Sequence, residues 1–388
     1  MIPFAALTMT LFSASRSEEP VIVDRIPLTP QANLVFADGT VDVHPYVGLG
    51  VGWGKDPRGR TEGTSGWGTG LVGSAVRWQP TAVDQVHGDV SARVRGSENS
   101  HNGTYVEGQG NLKGRHEAQR SWFGGGIGYL REDKFIPSAG GNARTDTLST
   151  NLTGHQDAES GSFNEKLAAS NEEYDGVATD RDRLLTVAEV SGSLSAAGTR
   201  WGLVLRGEGT DYRDQTRYSS SVGGAGLAMA EFGIGAQSSI VAQVGAMIRH
   251  YEQGAGDHQV IAPAFSLAVV LNQLEGGYMS LVAASKMDDN DSGNAEVFRS
   301  ITADVRVAMA PPWQLAIQAL AGIGRDTGVP SGNDSERRTE LEARVGLEYY
   351  LLGEGSVVRL EVSGEDYESN RTGDWQGARV DLHYFSAW

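Results

Sequence analysis

The feature that most constrains this chain is a two-residue period. From about Val41 onward, segments of roughly ten residues alternate apolar and polar side chains, and each ends in a cluster of Gly, Asp, Asn or Ser. Successive side chains of a strand point to opposite faces, so such alternation describes a strand with two unlike faces. The last segment is the clearest. Ala378, Val380, Leu382, Tyr384, Ser386 and Trp388 share one face, and Arg379, Asp381, His383 and Phe385 share the other. Val358, Leu360 and Val362 oppose Arg359 and Glu361, and Leu341, Val345 and Leu347 oppose Glu342, Arg344 and Glu348. Ile301, Val305 and Val307 oppose Asp304 and Arg306, and Val90, Ala92 and Val94 oppose Asp89, Arg93 and Arg95. About eighteen such segments follow one another, which suits an all-β sandwich or barrel.

Connection lengths separate the two architectures. Short links such as Ala196-Ala197-Gly198, Ala310-Pro311-Pro312 and Leu352-Gly353-Glu354-Gly355 alternate with longer ones. The longer ones run Gly54 to Ser65, Arg131 to Ala143, Tyr212 to Thr216, Asp288 to Ala295, Gly324 to Arg337 and Glu368 to Trp375. Outer-membrane barrels have short periplasmic turns and longer external loops. An even-stranded barrel with both termini in the periplasm must make its last connection outside, and the last connection here is long. A membrane offers no water to unpaired backbone groups, so a spanning sheet has to close on itself. The expectation is a single closed antiparallel transmembrane β-barrel of about 18 strands in a bacterial outer membrane. The stretch Thr145 to Glu173 alternates poorly. Leu148, Thr150, Leu152, Phe163 and Leu167 are its candidate lipid-facing residues, and a long loop there would leave 16 strands.

Composition removes other classes. Cysteine is absent, which excludes disulfide scaffolds, thiolate metal sites and thiol catalysis. The net charge of −17 makes wholesale nucleic-acid binding unfavourable. No apolar run is long enough for a membrane helix. The 52 glycines among 388 residues are nearly twice the usual share and suit the curvature of a barrel. Residues 1–15, an apolar run ending in Ser13-Ala14-Ser15, read as a signal peptide. Residues 16–40 read as a periplasmic leader able to enter the lumen, and 41–388 as the barrel. Trp53, Trp78, Trp122, Trp201, Trp313, Tyr350, Tyr367 and Trp388 fall near strand ends, as an interfacial girdle requires.

If the apolar face meets lipid, the other face lines a lumen. The candidates are Arg93, Arg95, Arg206, Arg306, Arg344, Arg359 and Arg379, with Asp89, Glu208, Asp304, Glu342 and Asp381. Glu107, Glu340, Glu348 and Glu361 share that face. Opposed charges on neighbouring strands either stiffen the wall as cross-strand pairs or form a constriction that selects solutes. No catalytic or metal-binding set is expected, and no cofactor. His101, His155 and His258 stand in no nucleophile–base pattern, and no nucleophile-elbow motif occurs. The run Asp288-Asp289-Asn290-Asp291-Ser292-Gly293 resembles a calcium loop only in part, because Arg299 holds its twelfth position. His44 and His383, early in the first strand and late in the last, are expected near one another at the periplasmic rim.

The ending Val380-Asp381-Leu382-His383-Tyr384-Phe385-Ser386-Ala387-Trp388 resembles the terminal signal of bacterial outer-membrane proteins. That resemblance implies recognition by the barrel-assembly machinery through the strand ending at Trp388; Ser386 stands where an aromatic or apolar residue is usual. The stretch Ile26-Pro27-Leu28 to Gly39, followed by Val41 to Trp53, resembles the start of β-barrel porin families, some of them associated with exopolysaccharide production. Where those families carry an Asp-Asp-Asn element, this chain has Gly54-Lys55-Asp56-Pro57. The expected activity is a porin-like channel passing hydrophilic solutes or, by this resemblance, an exported polysaccharide. The alternatives are an outer-membrane enzyme acting on lipid or glycan, and a closed barrel that displays loops as an adhesin or scaffold.

Overall fold

A computed structural model describes residues 34–36, 40–55, 64–97, 104–136, 141–176, 181–196, 198–215, 220–234, 238–252, 258–271, 278–289, 295–308, 313–326, 337–351, 356–370 and 374–387. The signal-peptide reading and most of the leader lie outside them.

A short strand β1 (Leu34–Phe36) precedes eighteen long ones. The first nine long strands are β2 (Val41–Lys55), β3 (Thr64–Trp78), β4 (Asp84–Ser97), β5 (Thr104–Glu117), β6 (Ser121–Ile136), β7 (Gly141–Ala158), β8 (Gly161–Gly176), β9 (Arg183–Ala196) and β10 (Thr199–Tyr212). The other nine are β11 (Ser220–Gly233), β12 (Ser239–Glu252), β13 (His258–Leu271), β14 (Tyr278–Asp289), β15 (Ala295–Ala308), β16 (Trp313–Asp326), β17 (Arg337–Leu351), β18 (Ser356–Ser369) and β19 (Trp375–Ala387). Each pairs antiparallel with the next. β19 then pairs with β2, from Ala378–Lys55 to Ala387–Tyr46, and closes the barrel. β1 pairs with Val41–Val43 of β2, beyond the point where β19 ends.

A 14-residue strand such as β9 is about 47 Å long, and a tilt near 45° gives it about 33 Å of height, enough to cross the hydrocarbon layer. The two faces separate as the alternation requires. Leu49, Val51, Val72, Val90, Leu152, Leu203, Val244, Ile301, Leu360 and Leu382 are exposed on the outside. Exposed apolar groups in this belt are stable because lipid, not water, is the solvent there.

The region 145–173 is not a loop. It forms β7 and β8, paired continuously from Ala143–Gly176 to Ala158–Gly161, so the 16-strand alternative is excluded. Thr, Ser and Asn dilute its apolar contrast, but Leu148, Leu152, Phe163 and Leu167 face outward as expected. The long link expected from Arg131 to Ala143 is also mostly strand, because β6 runs to Ile136 and β7 starts at Gly141. The tightest turns are those joining β7 to β8 and β9 to β10. Gly198, with φ +79°, takes the left-handed conformation that the second of these needs. By the rule that periplasmic turns are short, these turns mark the periplasmic end.

The aromatic girdle is only partly external. Trp53, Trp78, Trp201 and Trp313 are exposed on the outer face. Trp122 instead stacks on His155 inside, Tyr350 bonds an inward carboxylate, and Tyr367 is buried. Phe123 and Tyr349 hold the outer positions beside the first two. Position alone placed these residues at the rims, but strand parity decides the face. Trp388 lies outside the described residues.

Candidate functional site

The inward face carries a fixed charge network, and it begins with a bare strand. Gly48, Gly50 and Gly52 are three successive inward positions of β2, following the buried Tyr46, and β2 separates β3 from the closing strand β19. With no side chain at Gly52, Trp67 of β3 reaches over β2 and donates its indole N–H to Asp381 of β19 at 2.8 Å. A Cβ at Gly52 would run into both of those side chains. Gly50 similarly makes room for Thr69 and His383. Arg95 of β4 lies over the Trp67 ring, 4.8 Å from its centroid, in a cation–π contact.

On the other side of Asp381 the network continues through β18 and β17. Arg379 pairs with Asp381 at 3.4 Å and donates to Ser363 at 3.0 Å. Glu361 is the register partner of Asp381, and two carboxylates directly opposite would repel each other. Arg359, which pairs with Glu361 and, at 3.3 Å, with Glu348, supplies the compensating charge. Tyr350 donates to Glu348 at 2.8 Å, and Arg344 pairs with Glu342. From Glu348 to Arg95 the contacts cross β17, β18, β19, β2, β3 and β4. Most of these groups are buried among their partners. A charge in such surroundings is tolerated only when paired and hydrogen-bonded.

A second group lies across β8 to β12. Glu172 pairs with Arg183 at 2.8 Å, Arg206 with Glu208 at 3.2 Å and with Glu189 at 3.9 Å, and Arg249 with Glu208 at 3.3 Å. Arg93 pairs with Glu107 at 3.3 Å, and Asp89 accepts from Gln109 at 3.3 Å and Asn111 at 3.5 Å. Asp304 and Arg306 stand on the same face of β15, opposite Gln318 and Ala316 of β16. All twelve residues singled out from the alternation therefore stand on the inward face. Sequence reasoning missed Trp67 and the inward role of Tyr350, which no local pattern distinguishes.

One expectation fails here. His383 pairs in register with Gly50, whereas His44 lies beyond the end of the β19–β2 ladder, so the two histidines are not neighbours. The interior is not charged all round. Val204, Leu227, Met229, Val241, Met247, Val260, Ala262, Ala264 and Ala268 are buried on the inner faces of β10 to β13. The signal was present in β13, which reads HQVIAPAFSLAVVL with almost no alternation, as a strand buried on both faces does. Of the calcium-like loop, residues 290–294 lie outside the described residues.

No protein-family model and no curated protein matches the chain. Solved structures do. OpdL of Pseudomonas aeruginosa superposes with a TM-score of 0.48 at 10% identity, over 90% of this chain and 99% of that one. The outer membrane protein OpdK of the same organism gives 0.48 at 11% identity, over 89% and 99%. The FrpB iron transporter from Neisseria meningitidis gives 0.50 at 9% identity, over 84% of this chain and 62% of that one. Similarity at this level is similarity of fold. The closed antiparallel sheet and its apolar outer belt are enough to conclude that the chain is an eighteen-stranded transmembrane β-barrel of the outer-membrane type.

Proposed function

We propose that the protein is a passive channel for small hydrophilic solutes, with the inward charges as the lining of its pore. The observation that carries this reading is the division of charge between the two faces. The outer belt is apolar, and paired arginines and carboxylates occupy the inner faces of β4, β5, β8–β10, β12 and β17–β19. A barrel of this strand number is wide enough for an aqueous channel. Fixed, paired charges set the local field in such a channel without collapsing across it. An outer-membrane enzyme is the weaker reading: the inward His155 is held by the Asn164 amide at 2.6 Å and the Asp157 carboxylate at 3.1 Å, with no hydroxyl nucleophile among these partners. An exported polysaccharide is a narrower substrate reading, supported by the resemblance of residues 26–53. We also assign recognition by the barrel-assembly machinery to the β19 end of the chain.

The test is single-channel conductance of the purified, heat-modifiable protein in a planar bilayer. Stable steps are expected. The triple variant Arg306→Gln, Arg344→Gln, Arg359→Gln leaves Glu342, Glu348 and Glu361 uncompensated, so selectivity moves towards cations. Electrical silence at all voltages would rule out diffusion through an open lumen, and unchanged selectivity would remove these three arginines from the pore lining.

A further inference from the structure

One ladder of the barrel is incomplete in a way that displaces its neighbour. β13 and β14 pair only from Leu271–Met279 to Phe265–Ser285, although β13 continues outward to His258 and β14 to Asp289. The break coincides with Pro263. Its carbonyl points towards β14, where it accepts from the Ser285 hydroxyl at 3.4 Å. In an antiparallel sheet a residue's N–H and C=O point to the same neighbour, so the position without an N–H is the one that would have continued this ladder.

Above the break, the faces no longer match. Met279, Leu281 and Ile301 show that odd-numbered residues of β14 and β15 face outward, and all three are exposed. Met287 and Val297 have the same parity and pair with one another. Yet they are 7% and 6% exposed, in one apolar cluster with Met247, Tyr251, Val260, Ala262 and Ala264, which face inward from β12 and β13. The outer face of one hairpin touches the inner face of its neighbours only if the hairpin end has passed inside the wall. Simple fraying does not produce this.

We propose that the outer strand ends of β14 and β15, at Met287 and Val297, form a gating arm that folds into the pore and can return to the wall. The proposal rests on the channel reading. The folded-in arm buries Tyr251, Met247 and Val260, which water would otherwise reach. The returned arm regains main-chain hydrogen bonds to β13, except the one that Pro263 cannot donate. It then sets Met287 and Val297 against lipid, which is as apolar as the contacts they leave. The two arrangements trade similar quantities, as a two-position element requires.

The chain has no cysteine, so introduced pairs are its only thiols. Continuing the β13–β14 register sets Pro263 opposite Met287. The pair Pro263→Cys with Met287→Cys therefore traps the returned arm as a disulfide. The pair Ala262→Cys with Met287→Cys, bridged by a short bis-thiol reagent, traps the folded-in arm. Bridging the second pair should lower conductance at least about twofold and oxidising the first should raise it, both relative to the reduced protein. Pro263→Val, which restores the N–H, should reduce the bridging yield of the 262–287 pair. The proposal is overturned if the 262–287 pair does not bridge in membranes while the 263–287 pair oxidises completely. Two trapped forms that conduct like the reduced protein would overturn it equally. If the reduced protein conducts nothing, the channel reading fails, and the cross-linking pattern on a gel still decides where the arm lies.

Discussion

Replacing Gly52 with alanine tests the idea that the charge network depends on a bare strand. The new Cβ has no free volume: Trp67 and Asp381 meet where it would stand. One of them has to withdraw, which breaks the 2.8 Å indole–carboxylate bond. A hydrogen bond to a charged group contributes about 1.5–3 kcal/mol, and forcing packed atoms apart costs about 1–3 kcal/mol. Alanine recovers about 0.4–1 kcal/mol by restricting the unfolded chain. The net expectation is a loss of about 1.5–5.5 kcal/mol in the free energy of unfolding. Gly70 is the control. It lies on the adjacent strand with nothing within 4 Å of its would-be Cβ, so Gly70→Ala should be neutral or slightly stabilising. The assay is reversible urea unfolding from lipid vesicles, followed by tryptophan fluorescence and by heat-modifiable mobility. In a Trp67→Phe background the Gly52→Ala loss should shrink, because the bond is already absent, giving a coupling of about 0.5–3 kcal/mol. Equal stabilities for the Gly52 and Gly70 variants would refute the reasoning, as would additivity with Trp67→Phe.

Other outcomes follow from the same division of faces. Leu152→Arg places a charge in the outer belt of β7 and should cost about 2–4 kcal/mol near the membrane midplane, measured by the same unfolding assay. Trp201→Ala should weaken insertion into vesicles through loss of an interfacial anchor, whereas Trp122→Ala should leave insertion unchanged and disturb the His155 contact inside. Glu348→Gln leaves Arg359 with Glu361 as its charged partner and should shift ion selectivity towards anions, the reverse of the arginine variants, in reversal-potential measurements.

The period-two alternation specified strands with two unlike faces and the connection lengths a closed barrel, because a face that contrasts with its opposite must meet a different solvent; the choice between 16 and 18 strands was left to the structure. It also set the inward face of β4, β10, β15 and β17–β19 residue by residue, since parity is a local property of a strand. Parity was weak where both faces have similar character, as in the Thr- and Asn-containing β7, or in β13, where both are apolar. The contacts themselves were beyond the sequence. That Trp67 reaches Asp381 depends on β2 lying between them with glycine at the crossing, and the chain separation of those residues gives no hint of it. Near neighbours at barrel closure are set by register, so His44 and His383, placed at the two ends of the barrel sequence, stand apart. The inward turn of the β14–β15 hairpin belongs to the same class. Pro263 marks where a ladder can break, but only packing against Met247, Tyr251 and Val260 decides which way the freed hairpin goes.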